Sequence, residues 1–79
     1  MDVYKRYRFY DPLYGESMYP WYPALRGAEN LEEVTEFIMD DVSATLGSSS
    51  TVEVDAGQPG RIAFQREGLY HPKVEYRWS

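Results

Sequence analysis

Residues 30 to 47 carry the pattern of an amphipathic helix, and this pattern constrains the rest of the chain. Asn30 is a favoured N-cap residue, and Glu33 three positions later completes a capping box. Gly47 follows the last apolar residue as a helix stop. The apolar stripe consists of Leu31, Val34, Ile38, Val42 and Leu46. We therefore predict a helix from Asn30 to Leu46 whose apolar face needs a second layer.

Four short segments with alternating apolar residues can supply that second layer. The last three predict an antiparallel meander, whereas the position of the first strand in the sheet stays open. The expected fold is a two-layer α+β domain with one helix on an antiparallel sheet of about four strands, in the order β-loop-α-β-β-β. The expected inward residues are Val3, Tyr7 and Phe9 in residues 3–10, Val52 and Val54 in 51–55, Ile62 and Phe64 in 61–65, and Val74, Tyr76 and Trp78 in 73–79.

The segment from residue 12 to residue 29 is expected to be a long loop, because prolines and glycines interrupt it five times. Its apolar content argues against disorder. Tyr19, Trp21 and Tyr22 form a cluster stiffened by two prolines. These side chains suit either a lid on a small core or a recognition surface, since Tyr and Trp dominate interface hot spots.

Length and charge limit the possible partners. The 79 residues are enough for one domain, spanning 1–79, and the formal net charge is −5. Nucleic acid and anionic membranes should repel such a chain, whereas basic protein surfaces should attract it. No apolar run approaches the ~20 residues of a membrane span. The absence of cysteine favours a cytoplasmic protein.

Catalysis is not expected from this residue inventory. His71 is the only histidine, and without cysteine it cannot build a typical zinc site. Neighbouring acids such as Asp40 and Asp41 point to different sides of a helix and do not converge. No phosphate-binding, calcium-binding or dinucleotide-binding motif is present. We therefore expect no enzyme activity, no cofactor and no metal.

Acidic residues are concentrated on the predicted helix. They have no Lys or Arg partner at i+4 on that helix, so the face carries like-charge repulsion. A solvated face and a negative patch for a basic partner both remain possible. The candidate partner-binding acids are Glu29, Glu32, Glu33, Glu36, Asp40 and Asp41.

The first strand carries the opposite charge. Lys5, Arg6 and Arg8 are interleaved with tyrosines, as on the basic-aromatic sheet face of an RNA-binding module. Pairing of these bases with Glu53, Asp55 or Glu75 across the sheet is the favoured interpretation. Because the whole chain is acidic, we expect no direct binding of nucleic acid.

The carboxylate-rich helix and the cluster at residues 19–23 give the chain a resemblance to the small phage-encoded anti-CRISPR proteins, especially inhibitors of type I systems. The resemblance implies binding to the crRNA-guided effector complex in the cytoplasm of a bacterial host. The acids would occupy a basic surface meant for target DNA, and the protein would be a monomer or weak homodimer. Two alternatives stay open: an antitoxin or immunity protein for a basic nuclease, and a phage structural or assembly protein.

Overall fold

A computed structural model of the chain describes residues 1–47, 59–66 and 73–79, together with the backbone of residues 51–53. It has the expected α+β class, with one helix packed on an antiparallel sheet. The elements are β1 Val3–Asp11, β2 Gly15–Met18, β3 Tyr22–Leu25, α1 Leu31–Leu46, β4 Thr51–Glu53, β5 Arg61–Arg66 and β6 Lys73–Trp78.

The first strand lies in the middle of the sheet. The order is β2-β1-β6-β5-β4, with β3 also pairing with β1. Arg8 lies opposite Lys73 on one side and Met18 on the other, while Val3 lies between Trp78 and Leu25. Hence β6 covers one edge of β1, and β2 and β3 share the opposite edge. The predicted meander of the last three strands is confirmed.

The segment expected to be a long loop contains two strands. The turn after β1 forms because the Asp11 carboxylate accepts hydrogen bonds from the backbone N–H groups of Leu13, at 2.7 Å, and Tyr14, at 3.3 Å. Gly15 then takes a φ of +83°, which favours glycine, and starts β2. Pro23 is tolerated in β3 because this strand lies at an edge of the sheet.

The helix is confirmed with the expected caps. Asn30 Oδ1 accepts from the backbone N–H of Glu33 at 3.0 Å, and Gly47 ends the helix with a φ of +93°. One side of α1 packs on the sheet to form the core. The buried cluster contains Val3, Ala28, Val34, Ile38, Val42, Leu46, Phe64, Val74 and Tyr76. In the described part of the chain, no helix has the length and apolar character needed to cross a membrane.

Two of the expected core positions are wrong. Leu31 is 57% exposed because it is the first residue of α1, one turn before the core contacts begin at Val34. Phe9 is 41% exposed because β1 extends past the end of the helix. The helix ends near Lys5, whose Nζ donates a hydrogen bond to Thr45 Oγ1 in the last helical turn.

Other expectations fall partly outside the described part of the chain. The predicted strand at 51–55 is described as a strand over Thr51–Glu53. The inward positions of Val52 and Val54, the cross-strand partners Glu53 and Asp55, and the surroundings of His71 lie outside the described side chains.

Candidate functional site

Residues 9–19, which we call the hairpin arm, continue beyond the end of the helix and leave large apolar side chains exposed. The termini meet near the start of β1, where the backbone N–H of Asp2 donates to the carbonyl of Ser79 at 3.0 Å. The arm is the opposite end of β1. The exposed side chains, with their exposed fractions, are Phe9 41%, Tyr10 62%, Leu13 86%, Tyr14 86%, Met18 57% and Tyr19 52%.

The arm is held as a regular hairpin. Its two strands pair from Arg8 with Met18 to Asp11 with Gly15, and the side chains of Arg8 and Glu16 form an ion pair. Phe9 packs edge-on against Tyr19, with ring centroids 5.8 Å apart. Strand pairing therefore supplies backbone hydrogen bonds within the arm, and the apolar side chains of the arm face solvent. A concentration of exposed apolar side chains in one segment is a feature of protein interaction sites.

Three acids of α1 form a second surface, which we call the acidic ridge: Glu32, Glu36 and Asp40. All three are exposed, and none has an ion pair or side-chain hydrogen bond with another described residue. They follow one another at i+4, which separates successive residues by about 6 Å along the helix axis. Repulsion between neighbours weakens the helix slightly, so the ridge has no stabilising role within the described chain.

Glu29 and Glu33 serve the start of the helix. The backbone N–H of Glu29 donates to Glu33 Oε2 at 2.8 Å, which completes the cap begun by Asn30. An acid in the first turn is also favoured by the helix dipole. Both residues are exposed, but Glu33 has a structural function that the ridge acids lack.

Asp41 lies apart from the ridge, on the seam between helix and sheet. Its Oδ2 lies 2.7 Å from Lys5 Nζ and accepts a hydrogen bond of 2.5 Å from the hydroxyl of Tyr76. Lys5 also donates to Thr45 Oγ1 at 2.8 Å. Burial and then the hydrogen bond to Asp41 raise the pKa of Tyr76. Burial opposes the charge of Lys5, but hydrogen bonds to Asp41 and Tyr7 outweigh it, and the pKa of Lys5 is raised.

The three aromatic residues expected at the interface do not form one surface. Tyr19 belongs to the hairpin arm, whereas Tyr22 pairs with Lys5 in the sheet and stands beside Tyr7. Trp21 lies on the face of the sheet turned away from the helix, which we call the open face. Neither a single aromatic lid nor a single aromatic patch is formed by the cluster.

Arginines from two strands, β1 and β5, converge on Glu75 of β6 on the open face. Glu75 Oε1 lies 3.2 Å from both Arg6 Nε and Arg8 Nη1, and its Oε2 lies 3.0 Å from Arg61 Nη2. Glu75 is only 1% exposed. Burial opposes its ionisation, but the hydrogen bonds and charges of Arg6, Arg61 and Arg8 outweigh this, so the pKa of Glu75 lies below its ordinary value. The expected pairing of β1 arginines with Glu75 is therefore present.

Trp21 covers this arginine cluster. Its ring centroid lies 4.5 Å from the guanidinium carbon of Arg6, 4.6 Å from that of Arg77 and 5.7 Å from that of Arg61. Sequence reasoning missed this arrangement. Arg61 and Arg77 alternate with the inward residues of their strands, as Arg6 and Arg8 do in β1. Only the order of the strands in the sheet brings these arginines together.

Within the described residues, no group of three or more His, Cys, Asp or Glu side chains could hold a metal ion.

The comparisons with known proteins give no relatives: no family model matches the chain, and no curated protein or solved structure shows significant similarity to it.

Proposed function

We propose that this chain is a small protein-binding inhibitor that uses its hairpin arm as the contact and its acidic ridge to select a basic partner. The observation that carries the proposal is the exposure of Leu13 and Tyr14, at 86% each, at the tip of an ordered hairpin. Exposed side chains of this size are costly in water unless a partner covers them. Tyrosine is also among the residue types that dominate interface hot spots.

The acidic ridge supplies the charge that the partner must complement. Its carboxylates follow one another at about 6 Å along one line of the helix, and thus form a row of negative charges, as a phosphate backbone does. A protein surface with Lys and Arg placed for a phosphate backbone would therefore match Glu32, Glu36 and Asp40. Exposed charges of this kind mainly raise the association rate and make it dependent on salt.

The finer proposal follows the resemblance to anti-CRISPR proteins. The partner would be a type I crRNA-guided effector complex, and the chain would block its binding of target DNA. A purified complex of this type gives a direct test: addition of the chain should abolish retention of a labelled target duplex. If the duplex stays bound at saturating concentrations of the chain, the finer proposal is wrong. An immunity function against a basic nuclease would then be the next candidate. A nuclease assay would test it by measuring whether the chain protects DNA from cleavage.

Capture from bacterial lysate tests the broader proposal. The bait carries its tag after Ser79, which pairs with Asp2 at the end of β1 opposite the arm. We expect the bait to retain a protein with a basic surface, identified by mass spectrometry. Replacing Leu13→Ser and Tyr14→Ser should remove this protein from the captured set.

The matched control replaces two exposed apolar residues outside the arm, Leu31→Ser and Met39→Ser, which are 57% and 51% exposed. This control bait should retain the same protein as the original chain. If both double variants lose the protein equally, general surface hydrophobicity accounts for the capture. If neither loses it, the arm is not the contact.

A further inference from the structure

The open face is positively charged in a chain that is negative overall. Strand alternation places five cations there: Arg6, Arg8, Arg61, Lys73 and Arg77. The described carboxylates on the same face are Glu16 and Glu75. Among the described strand residues of this face, the cations outnumber the carboxylates by three, although the formal net charge of the chain is −5. Charge is separated between the two layers, since the acidic ridge is on the helix.

Pairing with Glu75 does not use up the donors of these arginines. One carboxylate that is 1% exposed serves three guanidinium groups, and the side chain of Arg61 is still 43% exposed. Arg77 is exposed as well, with its guanidinium stacked on Trp21 and, at 5.2 Å, on Tyr4. The Nε of Arg8 is buried without a hydrogen-bond acceptor in the described part of the chain. An anion placed here would meet several N–H donors already fixed in position.

Trp21 adds a planar element to this cationic surface. Its ring contacts the guanidinium groups of Arg6 and Arg77, and the residue is only partly buried. Trp21 therefore keeps part of its surface accessible to solvent. Tyr4 stands on the same face, opposite Arg77 in the β1–β6 register.

We propose that the open face binds single-stranded nucleic acid, with a phosphate held by Arg61 and Arg77 and an unpaired base stacked on Trp21. A single strand offers both an anion and an accessible planar ring, and sheet faces with Arg and aromatic residues bind it in this way. An acidic peptide offers only the anion, and a duplex hides the faces of its bases. The site uses neither the hairpin arm nor the acidic ridge, so it is independent of the function proposed above.

The expectation of no direct nucleic-acid binding rests on the net charge and on the pairing of the β1 bases with acids across the sheet. Because the acids of the ridge lie on the other layer, only part of their repulsion reaches the open face. Charges more than a Debye length apart, about 8 Å at physiological salt, are largely screened from each other in solvent. Repulsion from the whole chain should still keep the affinity low and limit the site to a few nucleotides. The affinity should be highest at low salt.

Fluorescence anisotropy of a labelled oligonucleotide of about ten nucleotides measures this binding, with the intact chain at low salt. We expect saturable binding that weakens as salt rises. Trp21→Ala should reduce affinity about fivefold or more, and Trp21→Phe, which retains a ring, should reduce it less. Arg77→Gln should lower the slope of log affinity against log salt by about 0.7, the value of one phosphate contact on a single strand.

Arg66→Gln is the matched control, because Arg66 is exposed on β5 and alternates to the opposite side from Arg61. Its affinity should equal that of the original chain. Thermal unfolding of each variant checks the fold. If Trp21→Ala does not fold, the single variants Trp21→Phe and Arg77→Gln test the proposal. The proposal is overturned by any of three results: no binding at low salt, equal binding of a duplex or of polyglutamate, or equal losses for Arg66→Gln and Arg77→Gln. None of these results alters the lysate capture by the arm.

Discussion

The hydroxyl of Tyr76 donates a hydrogen bond of 2.5 Å to Asp41, and the same carboxylate oxygen lies 2.7 Å from Lys5 Nζ. One helical acid thus joins α1 to β6 and to β1 at once. Its neighbour Asp40 is exposed and has no such contact with the described residues. Two adjacent aspartates of the acidic helix therefore have different functions, one in stability and one available to a partner.

This difference gives a direct comparison of Asp41→Ala with Asp40→Ala. Removal of Asp41 leaves the ammonium of Lys5, which is 5% exposed, without its counter-charge. We expect the free energy of unfolding to fall by about 3 kcal/mol. Asp40→Ala should change it by no more than about 0.5 kcal/mol. Urea denaturation measures both, and equal effects of the two substitutions would contradict the assignment of Asp41 to the seam.

The apolar stripe of α1 provides a second comparison. Ile38 is 4% exposed and belongs to the core, so Ile38→Ala should lower the free energy of unfolding by about 2–5 kcal/mol. Leu31 is 57% exposed, and Leu31→Ala should cost less than about 1 kcal/mol. Thermal or denaturant unfolding gives both values. A change within about 0.5 kcal/mol for Ile38→Ala would mean that this side of the helix does not face the sheet.

The arginine cluster predicts a dependence of stability on acid. The pKa of Glu75 is lower in the folded chain than in the unfolded one, so the carboxylate stabilises the fold above its ordinary pKa of about 4.3. This stabilisation is lost as the pH falls through the lower, folded pKa.

Glu75→Gln isolates this contribution. At neutral pH the variant should be less stable by about 1.5–3 kcal/mol, because three guanidinium groups lose the shared negative charge and one of its two acceptor oxygens. The difference between the original chain and the variant should shrink as the pH falls below about 4.3, since Glu75 is then protonated in the unfolded state and, below its lower folded pKa, in both states. Unfolding curves at several pH values measure the difference. A gap that stays constant down to strongly acid pH would show that the charge of Glu75 is not responsible.

The sequence predicts the elements that depend on local patterns. The helix from its N-cap Asn30 to Gly47 is readable because capping and periodicity agree. The turn residues Asp11 and Gly15 also indicate the hairpin arm, but the nearby prolines favour a loop. Lys5 shares the period of Val3 and Tyr7, which indicates an inward lysine in need of a buried acid.

Long-range pairing is what the sequence does not reveal. Arg6, Arg61 and Glu75 come from separate strands, and they meet only because β6 lies between β1 and β5. The predicted meander already places β5 beside β6, but no local pattern places β1 on the other side of β6, since the long segment after β1 allows several arrangements. The position of Trp21 over the cluster follows from the same pairing. For this reason the site residues predicted from the sequence do not include the arginines of the open face.

The central claim, that the hairpin arm binds a partner chosen by the acidic ridge, is tested most directly by binding kinetics. The probe is the protein captured from lysate, immobilised and exposed to three chains at low and high salt. The chains are the original one, the arm variant with Leu13→Ser and Tyr14→Ser, and the ridge variant with Glu36→Lys and Asp40→Lys.

We expect the arm variant to dissociate at least about tenfold faster at both salt concentrations, because buried hot-spot contacts control dissociation. The ridge variant should associate more slowly at low salt, with a smaller difference at high salt, because salt screens exposed charges. Both variants should unfold at the temperature of the original chain. Association and dissociation rates that match those of the original chain in both variants, at both salt concentrations, would contradict the claim.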